Sequence, residues 1–385
     1  MGYVGNFPAA TQTVDVIWQS VQTTGFTAVT GYGYPCNTTS AAFTVTLPAS
    51  ANAGDTIVLV DYAGTFATNN LTINPNDLKI QSQTFNVTVS KNNEALTCTY
   101  IDTTSGWLIT SGANEGTGAI SIPYLVDFLV VAGGAGGAGS GADGGGGGGG
   151  AGGYLTGTTT INVGTVYTIT VGGAGAGGAG ATDGSQGTNG GNSSFTGLTT
   201  AIGGGGGGTH SSNPQGKNGG SGGGAGTNAT ATASGAIGLG TAGQGNNGGT
   251  AWGPTPYAGG GGGGSSAVGA NATSSSTGAT GGNGTANSIT GSSVTYAGGG
   301  GGGGGIGGAD GANGTGGGST ANRGGGGTGG TGRANETGDA GGTGVIILSM
   351  ADASYSGTTT GSPTVATGVG GKTILTFTGS GTYTG

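Results

Sequence analysis

His210 is the single histidine of the chain and therefore the first candidate for catalytic chemistry. A hydrolytic triad holds a histidine between a nucleophile and an acid, but no such set can be argued around His210. The 14 acidic residues are dispersed and lie mainly in predicted turns. Paired carboxylates of the kind that glycosidases use are therefore not indicated. We predict that the protein is not an enzyme.

Glycine-rich patterns of the GxGxxG type occur repeatedly, yet they carry little information in this chain, where 106 of 385 residues are glycine. In nucleotide-binding proteins the pattern joins a strand to a helix that holds the phosphate, and no such unit is indicated. The segment GGADGANG at Gly307–Gly314 is similar to calcium-binding nonapeptide repeats, but Asp310 has no regular series of partners. We expect neither cofactor nor metal, with calcium at this segment as the weaker alternative.

Four residues between positions 209 and 257 are candidates for binding a ligand: His210, Lys217, Trp252 and Tyr257. Exposed Trp and Tyr side chains stack on sugar rings or anchor protein contacts. In the alternative interpretation, Trp252 packs at the edge of the fold, and Tyr257 and Tyr296 close the ends of the glycine runs that follow them. The sequence leaves both interpretations open.

Composition excludes several classes of function. The chain has only six basic residues and a net charge of −8, which disfavours binding to the phosphates of nucleic acids. Met1–Gly5 lacks the basic region and following apolar core of a signal peptide, and the most apolar stretch, Ile120–Val131, is too short to span a bilayer. We expect neither membrane insertion nor export by a standard route.

The positions of alternating β-branched and apolar residues divide the chain into three parts. Residues 1–20 form an N-terminal attachment segment, and residues 21–112 form a small all-β domain, a sandwich or barrel. Residues 113–385 form a glycine-rich domain with a β border at 124–171 and 344–384. Within that border, Tyr154–Val163 and Val166–Val171 predict a hairpin around Gly164. Polar intervals at 209–254, 265–293 and 309–343 are predicted to be variable loops.

Uninterrupted glycine runs begin at Gly144, Gly203, Gly259 and Gly298. Glycine has the largest backbone entropy to lose on folding, so an ordered run must be held by contacts between backbones. An extended helix with three residues per turn has no internal hydrogen bonds, and its N–H and C=O groups then need partners on neighbouring chains. We predict packed polyglycine II helices, and essentially no α-helix anywhere.

Cys36 and Cys98 are the only cysteines. Cys98 alternates with Leu96 and Tyr100 on the predicted buried face of a strand. A buried free thiol is the favoured interpretation, and a disulfide is the alternative.

Several segments resemble the glycine-rich domain of tail fibres from tailed phages of marine bacteria and cyanobacteria. They are FLVVAGGAGG at Phe128–Gly137, GGGGAGGYLTGTTTINVGTVYTITVG at Gly147–Gly172, and the closing TGVIILSM and TFTGSGTYTG. The segment Ala42–Ile73 is similar to a small β module of the same fibres, and MGYVGN is similar to the start of marine phage structural proteins. The glycine runs are also similar to those of the tail-tip adhesin of T-even phages. In that family the runs form polyglycine II helices, and the loops between them select the host receptor.

The resemblance implies a receptor-binding protein on the outside of a virion, extracellular after host lysis. Its implied partners are a bacterial surface glycan or outer-membrane protein, together with other tail or fibre proteins. Fibres with related modules are often homotrimers, whereas the T-even adhesin is a single chain that caps a trimer. This chain departs from that adhesin by its N-terminal β domain, so the resemblance leaves both a homotrimer and a monomer open. The alternative function is a capsid decoration or self-assembling fibre without receptor specificity. Ice binding is disfavoured, because the runs lack a regular Gly-x-x series with a threonine plane.

Overall fold

The computed structural model describes residues 16–112, 120–181, 184–210, 213–227, 235–253, 257–332 and 335–385. It divides into two compact units, Met1–Tyr124 and Leu125–Gly385. In the described residues every regular element is a strand except one 3-10 turn, Asp352–Ser354. The predicted all-β fold class is therefore confirmed. Most of the predicted attachment segment 1–20 lies outside the described residues.

The first unit contains two five-stranded sheets that share one apolar core. Strands β1 to β6 alternate between the sheets, so β3 pairs in parallel with β1 and β5, and β4 pairs in parallel with β2 and β6. Burial alternates along the strands, as in Thr56–Asp61, because successive side chains point to opposite faces. The strands are β1 Ile17–Trp18, β2 Phe26–Thr27, β3 Tyr32–Cys36, β4 Phe43–Thr46, β5 Thr56–Asp61, β6 Leu71–Asn74, β7 Val87–Val89, β8 Ala95–Asp102, β9 Gly106–Gly112 and β10 Ile120–Ser121.

Both cysteines of this unit are buried and free, which agrees with the favoured sequence interpretation. Burial raises the pKa of the Cys98 thiol to about 12. Burial, and secondarily the negative charge of Asp61, raises the pKa of the Cys36 thiol to about 12. Because only the thiolate is a good nucleophile, both side chains are chemically inert in the folded protein.

We therefore expect the native protein to resist a thiol reagent such as Ellman's reagent at pH 8. The reaction should be at least ~100-fold slower than after unfolding in guanidinium, since the thiolate is scarce at that pH and shielded. The denatured chain, with its two cysteines, serves as the control for full reactivity. Rapid labelling of the native protein would contradict the burial of these thiols.

The second unit is built around a five-stranded sheet of order β12-β11-β17-β20-β19. Strands β11 and β17 pair antiparallel, and their register ends at Val131 opposite Val345. The chain therefore enters and leaves the glycine-rich region at adjacent positions of one sheet. The strands are β11 Tyr124–Val131, β12 Tyr154–Ile161, β13 Val166–Thr170, β14 Ser194–Phe195, β15 Thr285–Asn287, β16 Val294–Tyr296, β17 Val345–Ala351, β18 Thr359–Thr360, β19 Thr364–Val369, β20 Lys372–Phe377 and β21 Gly381–Thr384.

The predicted hairpin between β12 and β13 is wrong. The chain turns at Gly164, whose φ is +76°, but the two strands join different sheets. Strand β12 lies beside β11, whereas β13 pairs with β14 and β21. Each strand finds partners that are distant in the sequence, and a two-stranded ribbon by itself would be only marginally stable.

Between the sheets, the backbone hydrogen bonds of the glycine-rich region repeat every three residues. Each N–H group in residues 145–153, here called the central segment, donates to a neighbouring segment at 2.8–3.0 Å, and three neighbours alternate as acceptors. Three further segments donate to carbonyls of the central segment. It therefore has six neighbours. The three accepting segments contribute the carbonyls of residues 257, 260 and 263, of 324, 327 and 330, and of 202, 205 and 208. The three donating segments contribute the N–H groups of residues 132, 135 and 138, of 300 and 303, and of 221 and 224.

The central segment is fully buried, and its packing leaves no room for side chains. A Cβ added at Gly148 would lie 2.1 Å from the carbonyl oxygen of Gly300, and one added at Gly149 would lie 2.4 Å from that of Ala135. Glycine is required here because the backbones touch directly. Parts of the intervals predicted as loops also take part in this network, including residues 216–226 and 309–314.

Apolar side chains connect the network to the sheet. Ala151 and Ala297, which lie at the ends of glycine-rich segments, belong to one buried cluster with Leu129 and Ile347 of the central strands. This cluster therefore packs one end of the hydrogen-bonded network against the sheet.

Candidate functional site

The four predicted glycine-run positions are buried parts of the backbone network. A Cβ on Gly203, Gly259 or Gly298 would lie 1.9–2.2 Å from a carbonyl oxygen of another segment. At Gly144 it would instead lie 2.6 Å from the Cδ2 atom of His210. These glycines position the site residues and are themselves inaccessible to a ligand.

His210 and Tyr257 lie together at one end of the network. Their ring centroids are 4.9 Å apart, with the planes inclined by 37°, and Gly144 leaves the room that the imidazole occupies. Only 4% of His210 and 8% of Tyr257 is exposed. Their burial supports the interpretation in which these rings close the end of the glycine runs. Tyr296, 4% exposed, is buried in the same way.

Trp252 remains available at the surface. It is 36% exposed, and its backbone N–H donates to the carbonyl of Ala258 at 2.8 Å. Positions 254–256, between these two residues in the sequence, lie outside the described residues. A large aromatic side chain on a backbone held in this way is suited to surface recognition.

Lys217 lies in a polar groove of about 520 Å³. One wall is the segment 186–189 and the other is 213–218. Amide side chains cross between them at two levels three residues apart: Gln186 Nε2 donates to the Gln215 carbonyl at 2.8 Å, and Asn189 Nδ2 donates to the Asn218 carbonyl at 3.3 Å. The lining residues are Gln186, Asn189, Asn213, Pro214, Gln215, Gly216, Lys217 and Asn218.

The other residues of this groove were not predicted from the sequence. The spacing of the amide residues could have indicated them. Gln186 and Asn189, before the run at Gly203, are three residues apart, and so are Gln215 and Asn218, after the run. Residues three apart in an extended three-residue helix share a face. The structure brings these two pairs together, but it does not bring Lys217 into the cluster of His210 and Tyr257.

Asparagine side chains complete the network at its margin. Asn189 Oδ1 accepts from the Gly206 N–H at 3.0 Å, and Asn192 Oδ1 accepts from that of Gly203 at 2.8 Å. At the run that begins with Gly298, Asn313 Oδ1 accepts from the Gly301 N–H at 2.8 Å. At the margin, where no further glycine-rich segment supplies a carbonyl, an asparagine amide oxygen accepts the hydrogen bond instead. The buried N–H is then not left unpaired, which would cost free energy.

Asp310, the candidate calcium ligand, occupies a similar position. Its carboxylate accepts a hydrogen bond from the Gly304 N–H at 3.4 Å. No group of three or more His, Cys, Asp or Glu side chains that could hold a metal ion occurs among the described residues.

Charged pairs are scarce in the part of the chain that the structure describes. One ion pair is present there, between Lys372 Nζ and Asp127 Oδ2 at 2.8 Å. The hydrogen bond from Lys372 is the main reason why the pKa of Asp127 is lowered. Charged residues make up 5% of the chain, and the exposed ones, such as Asp77, Asp102 and Asp339, lie among a larger number of uncharged polar residues.

A family model described as a glycine-rich domain matches residues 110–351, which include every candidate site residue. No curated protein matches the sequence. No helix among the described residues is long and apolar enough to cross a membrane.

Proposed function

Since the chain belongs to the family of glycine-rich domains, we propose that it is a receptor-binding protein of a phage tail fibre. Its glycine network is a rigid scaffold, and the surface groups that the network holds recognise a bacterial surface glycan or outer-membrane protein. The observation that carries this proposal is the combination of a buried backbone network with a polar surface that has few charged residues. The resemblance of Phe128–Gly137 and Gly147–Gly172 to tail fibres supports the same assignment.

In this proposal the glycine-rich segments are polyglycine II helices. Three observations support the assignment: the three-residue period of the hydrogen bonds, the six neighbours of residues 145–153, and the close approach of glycine to carbonyl oxygens. A three-residue helix points successive N–H groups in three directions about 120° apart. Each helix can then bond to neighbours on all sides.

A scaffold of this kind suits recognition because its order does not depend on side chains. Surface positions can therefore vary in sequence while the backbone that holds them stays fixed. Trp252 and the groove at Lys217 are the surface features that we assign to receptor contact. His210 and Tyr257 are buried against each other, and we assign them a packing role and no receptor contact.

The proposal is tested by the binding of the labelled, purified chain to intact bacteria, using a panel of marine Gram-negative strains and cyanobacteria. We expect saturable binding to a subset of strains, weakened at least tenfold by Trp252→Ala. The matched control is Trp18→Ala, which removes a 56% exposed tryptophan from the first unit. Binding to no strain, or equal loss with both variants, would overturn the proposal.

The alternative, a self-assembling structural protein, is favoured by one observation. Strand β19 lies at the edge of its sheet, and five of its six residues are exposed. An open edge can pair with a strand of another chain. Light scattering and electron microscopy would show concentration-dependent polymers if this alternative holds, and discrete monomers or trimers if the chain is an adhesin.

A further inference from the structure

The two walls of the groove at Lys217 are both fixed to the buried run Gly203–Gly208. Gly206 donates its N–H to Asn189 on one wall, at 3.0 Å, and accepts from the Lys217 N–H on the other wall, at 2.8 Å. Lys217 Nζ reaches across the groove to the Gly187 carbonyl at 2.9 Å. The groove is therefore organised before any ligand arrives, which reduces the entropy lost on binding.

The polar groups of this groove define the chemistry that it can bind. Asparagine and glutamine side chains offer both donors and acceptors, which match the hydroxyl groups of a sugar. The two amide crossings are three residues apart, about 9 Å along an extended helix, or roughly the length of two linked pyranose rings. The volume of about 520 Å³ lies within the range of small-molecule sites.

Lys217 adds a positive charge that no described carboxylate neutralises. The ion pair among the described residues involves Lys372 and Asp127, whereas Lys217 Nζ donates to the neutral carbonyl of Gly187. An ammonium group has three donors, so two remain for a ligand oxygen. In a chain with a net charge of −8, a single lysine suits a ligand with one carboxylate per sugar and not a dense polyanion.

We propose that this groove binds an acidic saccharide, with a sugar carboxylate on Lys217 and sugar hydroxyls on the amides of Gln186, Asn189 and Asn218. This inference rests on the proposed function, because it names the chemistry of the receptor.

The test uses calorimetric titration of the full chain with trimers of galacturonate, mannuronate and guluronate, and with their methyl esters. The esters keep the ring geometry and remove the negative charge. We expect at least one acid to bind tenfold or more tightly than its ester, with an affinity that falls as salt is added.

Two variants assign the effect to Lys217. Lys217→Met should abolish the preference for the acid over the ester, whereas Lys217→Arg should retain it. The control Lys79→Met makes the same change of charge in the first unit and should bind like the unmodified chain. Melting curves of all three variants establish that each is folded.

The proposal is overturned if none of the three acids binds, if acid and ester bind equally, or if Lys217→Met keeps the preference. Cell binding separates this result from the function as a whole. A chain that still binds bacteria, and loses this binding with Trp252→Ala, remains an adhesin whose receptor is recognised elsewhere. A chain that binds neither cells nor saccharides fails both proposals.

Discussion

Gly301→Val is expected to destabilise the second unit by about 4 kcal/mol or more and to lower its melting temperature by about 10 °C. A Cβ at this position would lie 1.9 Å from the carbonyl oxygen of Gly311, so the two segments must separate. Separation also weakens the bonds from the Gly301 N–H to Asn313 Oδ1 and from the Gly329 N–H to the Gly301 carbonyl. Differential scanning calorimetry provides the measurement.

Gly173→Ala is the matched control for this substitution. Gly173 belongs to the same unit, but a Cβ there has nothing within 4 Å, and its φ lies outside the left-handed region. Replacing glycine at such a site stabilises a protein by about 0.4–1 kcal/mol or leaves it unchanged. If Gly301→Val melts like the unmodified chain, or if both variants lose equal stability, close backbone packing is not what orders the glycine runs.

Ile347→Ala is expected to cost about 3 kcal/mol, since the side chain is 1% exposed in the cluster that joins the sheet to the glycine network. Because Ala151 and Ala297 lie in the same cluster, we expect the network to lose protection together with the strands. Amide hydrogen exchange in Gly144–Gly150 should then accelerate by about 100-fold, in step with the amides of β17.

Val365→Ala provides the comparison on the same sheet. Val365 is 42% exposed on the edge strand β19, so its truncation should change stability by no more than about 0.5 kcal/mol. Faster exchange of β17 in Ile347→Ala, with unchanged exchange of Gly144–Gly150, would show that sheet and network unfold independently.

Where a strand is marked by its own residues, the sequence was sufficient to predict it. The alternation of Leu96, Cys98 and Tyr100 predicts that they share the buried face of a strand, and all three are buried in β8. Alternation and continuous apolar runs are local signals, because each side chain reports the face on which it lies. The pairing of β12 and β13 could not be derived in this way, since their partners are distant along the chain.

The candidate site, too, was predictable only in part. Residue type and position made Tyr257 and Trp252 equal candidates for ligand binding, but Tyr257 is 8% exposed and Trp252 is 36% exposed. The groove at Lys217 depends on hydrogen bonds between residues about 29 positions apart, such as Gln186 and Gln215. The spacing of the amide residues within each wall can be read from the sequence. That segments 186–189 and 213–218 face each other cannot.

By itself the sequence determined that this chain builds its order from strands and from contacts between glycine backbones, because side-chain size is a local property that fixes how closely two chains can approach. Only the tertiary structure decided which segments become neighbours. Glycine residues are identical to one another, so a run contains no side-chain pattern that selects its partner. The selection comes from the paired strands β11 and β17, the apolar cluster at Ile347 and the asparagines at the margin, which together set the register of the network.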